Sequence, residues 1–128
     1  PMVAAAAVMR LARHALVGLS VAALAACAPT VGEMNARPDR YYQQTITLTA
    51  CVARRQDLSD GVLLELADPA GARILVRADA PVEVEAGDWV KVRGIFVPEA
   101  RAGGATLYDV VVAEKIGHTH APRLMHLM

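Results

Sequence analysis

His118, His120, Met125, His126 and Met128 crowd the last eleven residues of this 128-residue chain, in the run HTHAPRLMHLM. Imidazole and thioether are donors that suit copper, Cu(I) above all, and imidazole also suits zinc and nickel. The same two side chains serve as axial ligands of haem iron. His-x-His followed by Met-His-x-Met offers several soft donors from one short segment, so a copper or haem site is one expectation. A plainer reading stands beside it. Histidine clusters at chain ends bind metal weakly without purpose, and Leu124 to Met128 would serve as well as an apolar plug for a partner's groove.

The second chemically distinctive residue is Cys27, one of two cysteines. It closes the stretch Met9 to Cys27, MRLARHALVGLSVAALAAC, in which Arg10, Arg13 and His14 precede an apolar run broken only by Ser20. A positive head, a short apolar core and small residues at the end form the layout of a bacterial secretory signal. The apolar run is too short for a span of ~20 residues. Residues 1–26 are therefore read as a signal peptide with its start at Met9. Leu24-Ala25-Ala26-Cys27 resembles a lipobox, the four-residue motif of bacterial lipoproteins. That resemblance implies cleavage before Cys27, a covalent diacylglycerol on its sulfur and further acylation of the new N-terminus. Ala28 is not the aspartate that the family associates with inner-membrane retention. The implied address is the outer membrane, facing the periplasm, with membrane contact through the lipid anchor.

Loss of Arg10 and Arg13 takes the balance from 13 cationic against 13 anionic side chains to 11 against 13. A nucleic-acid binder is normally basic, and single-strand binding also needs aromatic platforms. The mature aromatics are only Tyr41, Tyr42, Trp89, Phe96 and Tyr108. No nucleic-acid partner is expected. With Cys27 acylated, Cys51 has no partner for an intramolecular disulfide.

Residues 27–43 contain Pro29, Gly32, Asn35 and Pro38 without a sustained period and read as a flexible lipidated tether. From Thr45 the period becomes two: Ile46, Leu48, Ala50 and Val52 share one face and Thr45, Thr47, Thr49 and Cys51 the other. Five strand-like runs follow between residues 44 and 116. Asp68-Pro69-Ala70-Gly71 is a turn after the second run, and Gly94 interrupts the fourth, where glycine marks a bulge or bend. Five short strands without a convincing helix predict an all-β fold, a small five-stranded closed barrel. The runs DPAGARILV, from Asp68 to Val76, and GDWVKVRG, from Gly87 to Gly94, resemble an OB-fold entering its third and fourth strands. The helix usual between those strands is expected here only as a loop. Residues 117–128 form a His/Met-rich tail.

The remaining chemistry is sparse. Asp57, Asp60, Asp68, Asp79 and Asp88 fall at strand ends and turns, where aspartate bonds to nearby backbone. No nucleophile elbow, phosphate loop or HExxH motif occurs, so an enzyme is not expected. The leading expectation is a non-catalytic binding or assembly module, an accessory subunit that engages a protein partner in the cell envelope. Copper or haem handling by the tail is the alternative. Recognition of saccharide or peptide on a face around Trp89 and Tyr108 is a third.

Overall fold

The computed structural model describes residues 29–122. Its strands are β1 (Thr45–Leu58), β2 (Gly61–Ala67), β3 (Arg73–Ala78), β4 (Trp89–Ala102) and β5 (Ala105–His118), preceded by one short helix, α1 (Val31–Ala36), and a 3-10 turn at Pro38–Arg40. The strands close into a single barrel in the order β1-β2-β3-β5-β4. All neighbours are antiparallel except β3 and β5. The all-β, OB-like barrel read from the sequence is what forms.

Alternation explains the closure. Inward positions Ile46, Leu48, Ala50 and Val52 of β1 meet Val62, Leu64 and Leu66 of β2, Ile74 and Val76 of β3, and Val90, Val92 and Phe96 of β4 in one buried cluster. Side chains at every second residue of a strand share a face, so one apolar set per strand is enough to fill a barrel of this size. β1 serves two neighbours. Its first half pairs with β4, from Thr45 opposite Ile95 to Cys51 opposite Trp89. Its second half pairs with β2, and the register shifts between Val52 and Arg54. That bulge bends the strand around the barrel. A second irregularity, at Arg93/Gly94, lies where a Cβ on Gly94 would run into the Val112 carbonyl and the Ala113 Cα. The glycine is required by the close approach of β5.

Three boundaries differ from the sequence reading. β4 and β5 continue to a tight turn at Gly103-Gly104, both at positive φ, where the sequence predicts shorter strands. β5 also runs on to His118, so the tail begins two residues later than 117. The larger correction concerns the described part of the expected tether, residues 29–43, which is not free. Val31 and Met34 of α1 are 1% and 0% exposed and belong to the core cluster. Thr30 caps the helix by accepting from the Glu33 N–H at 3.1 Å, and Asn35 Nδ2 donates to the Arg73 carbonyl at 2.9 Å. A six-residue helix does not persist alone; two buried side chains hold it in place.

The loop between β3 and β4 takes over the usual helix's place, as expected. Val84 is buried in the core. Arg55 Nη1 donates to the carbonyls of Val82 and Val84 at 2.8 and 2.7 Å. The Gly87 N–H donates to the Val52 carbonyl, and the Val52 N–H to the Asp88 carbonyl.

Candidate binding face

Beyond the bulge in β1, Arg54 and Gln56 turn outward beside Leu63 and Glu65 of β2 and Leu75 of β3, and these five line a shallow groove. A second depression adjoins it, lined by Asn35, Glu65, Arg73, Ile74, Leu75, Tyr108 and Asp109. Glu65 and Leu75 sit directly opposite each other in the β2–β3 ladder and belong to both. The two depressions therefore make one continuous track across β1, β2 and β3 to the start of β5.

The floor of this track is apolar where a solvated strand would be polar. Leu63 and Leu75 occupy outward positions and are only half-buried. Tyr108, at its rim, is 69% exposed, the large hydrophobic side chain most open to solvent among the described residues. Charges flank the floor. Arg73 Nη1 and Glu65 Oε1 form an ion pair at 2.9 Å. Arg77 pairs with Asp60 at 2.8 Å and also with Asp79, tying the β1–β2 turn to the end of β3. An apolar strip with a polar rim is the anatomy of a protein-binding surface.

Trp89 and Tyr108 do not share this face. Trp89 begins β4 opposite Cys51, whereas Tyr108 pairs with Glu99, ten residues further along β4. That is roughly 30 Å of strand. The expectation of one binding face around both is corrected: Tyr108 borders the groove and Trp89 stands elsewhere.

The tail residues are placed only in part. His118 ends β5, its Nε2 2.8 Å from the Glu83 carbonyl oxygen and its Nδ1 4.0 Å from Asp88 Oδ2. His120 is exposed. Met125, His126 and Met128 lie outside the described residues, as does Cys27. Among the described residues no three His, Cys, Asp or Glu side chains converge as a metal site. The aspartates behave as turn residues. Asp68 accepts from the N–H groups of Ala70 and Ala72 at 3.0 and 2.9 Å, and Asp88 accepts from Glu85 N–H at 2.9 Å. Asp57 pairs with Arg55.

No family model matches the chain, and no curated protein matches it. Solved structures do. Asparaginyl-tRNA synthetase from Pyrococcus horikoshii superposes with a TM-score of 0.50 at 18% identity, covering 65% of this chain and 21% of the synthetase. Its complex with asparaginyl-adenylate gives the same score over 20% of that chain. A putative aspartyl-tRNA synthetase from Leishmania major Friedlin reaches 0.55 at 14% identity, over 72% of this chain and 20% of that one. The likeness is one of fold. This chain spans about a fifth of those proteins, and the match adds the OB-like barrel to what topology already shows. Among the described residues, no helix is long and apolar enough to cross a membrane.

Proposed function

We propose that this chain is a lipid-anchored, non-catalytic binding module of the bacterial envelope, held at the outer membrane through Cys27 and engaging a protein partner along the β1–β2–β3 groove. The observation that carries the binding surface is the pair Leu63 and Leu75, two outward leucines in neighbouring strands beside the exposed Tyr108. Each leucine, already half-buried, gains at most ~1.5 kcal/mol when its remaining surface is covered, and apolar surface with a polar rim marks interaction sites. The lipid reading is supported by the signal layout and by Leu24-Ala25-Ala26-Cys27.

A photo-crosslinking side chain introduced at Leu75 in the full chain, expressed in its own host, tests the groove. One discrete adduct from position 75, absent when the crosslinker stands at exposed Gln43 instead, is the expected result. Equal labelling from both positions contradicts it. Copper or haem retained through purification, with no adduct, would favour the tail residues His118, His120, Met125, His126 and Met128 over the groove.

A further inference from the structure

The outward side of β1, β4 and β5 is built differently from the groove. Thr45, Thr47 and Thr49 stand exposed on β1. Thr47 lies opposite Arg93 and Thr49 opposite Lys91 on β4. β5 completes the rows, with Lys115 opposite Arg93 and Gly117 opposite Lys91. Thr47, Lys91, Arg93, Lys115, Gly117 and His118 line one depression. Gly117 faces its open space, where a Cβ would meet nothing within 4 Å. Two residues before Lys91 on the same side of β4 stands Trp89, half-buried.

This arrangement carries a cost that is only partly compensated. Like charges directly opposite in an antiparallel ladder repel, and Arg93 and Lys115 are so placed. The carboxylates that answer them are few. Glu114 Oε2 lies 3.9 Å from Arg93 Nε, both side chains being largely exposed, and Asp88 faces His118. Neither Lys91 nor Lys115 has a carboxylate within 4.0 Å among the described residues. Cations and hydroxyl donors around a concave floor suit the oxygens of a phosphoryl group.

We propose that this face binds the phosphoryl headgroups of an anionic membrane surface. Charge complementarity is the first argument: juxtamembrane Lys and Arg are attracted to anionic lipid. The second is Trp89, which adds an amphipathic ring of the kind that settles at the headgroup level. Single-stranded nucleic acid would require successive aromatic platforms, and the rest of this face is threonine and cations. The third argument is reach, and it rests on the lipid-anchor reading. Cys27 stands four residues before Val31, which is buried in the barrel. The chain between them spans at most about 14 Å, so a lipid on Cys27 would keep this barrel within reach of the bilayer; α1 itself packs beside β3, so it is charge, not the anchor, that selects this face.

The test is co-sedimentation of the unacylated full chain with phosphatidylcholine vesicles, with and without phosphatidylglycerol, against the variant K91Q/R93Q/K115Q. Residues 1–26 are common to both proteins, so their contribution cancels. Wild type is expected to prefer anionic vesicles, to lose that preference as salt rises, and to bind them roughly 100-fold more tightly than the variant. Unchanged thermal midpoints in the variant would show that its fold is intact. Equal binding by the two proteins overturns the proposal. So does release by inorganic phosphate beyond that by chloride of equal ionic strength, which would indicate a free-phosphate site. Stronger binding to an oligonucleotide than to vesicles overturns it in favour of nucleic acid. A cell-derived chain unmodified at Cys27 that still selects anionic vesicles would sustain this inference and remove the lipid anchor alone.

Discussion

Tyr42 Oη donates a hydrogen bond to Asp109 Oδ1 across 67 residues of sequence, joining the segment after α1 to the start of β5. Asp109 accepts it from a left-handed backbone, φ 55°, which aspartate tolerates better than most residues. The Tyr42 ring stacks on Phe96 at 5.4 Å between centroids. Hydrogen bonding to Asp109 above all, then burial, then the negative charges of Asp109 and Asp39, hold the Tyr42 phenol above its ordinary value of 10.0. The folded chain thus keeps this proton more tightly than the unfolded one. The corresponding stability is complete below pH 10 and is lost as pH rises through the raised folded value. Tyr42→Phe is expected to lower the thermal midpoint at neutral pH. It should also flatten the decline in midpoint as pH rises above 10 relative to wild type.

Met34 is fully buried although it belongs to a helix of six residues. Met34→Ala should cost about 2–4 kcal/mol, the usual range for emptying such a site, measured by urea denaturation. A segment acting as a tether would instead tolerate the change with no shift.

Gly94 has no room for a side chain beside the Val112 carbonyl. Gly94→Ala is expected to cost about 2–3 kcal/mol in the same assay, because β5 must move away from β4. Gly71→Ala offers a contrast. Its added methyl meets nothing, so its cost is set by its positive φ of 89° alone and should be smaller.

Arg55 is the clamp on the β3–β4 loop, with 21% of its side chain exposed. Arg55→Ala leaves the Val82 and Val84 carbonyls without their donor and should cost about 1.5–3 kcal/mol. Amide exchange should accelerate first in residues 79–88, ahead of the strands.

Where side chains alternate cleanly, the fold was legible in the chain. The Ile46-Leu48-Ala50-Val52 face and the glycine at position 94 are where period and residue type place them. Arg55 was not legible. The bulge at Val52/Arg54 turns Arg54 outward toward the groove and sends Arg55 to the loop, and nothing in a run of two arginines marks which does which. The groove escaped for a related reason, since Leu63 and Leu75 read as ordinary strand residues until pairing sets them beside Arg54, Glu65 and Tyr108. α1 did carry a signal. Thr30-x-x-Glu33 is a capping-box spacing, and Val31 and Met34 are three apart on one helical face, but Pro29, Gly32 and Pro38 around them suggest a linker. Trp89 and Tyr108 pair in the sequence only because aromatic residues are scarce.

The most direct test of the account is intact mass spectrometry of the chain isolated from its own membranes in mild detergent, wild type beside L63Q/L75Q. The expected mass is that of a chain beginning at Cys27 and carrying diacylglycerol and acyl groups, with one stoichiometric partner that the double variant loses while remaining folded. A chain that still carries Arg10 to Ala26 would contradict the lipid anchor. A partner retained undiminished by the double variant would contradict the groove.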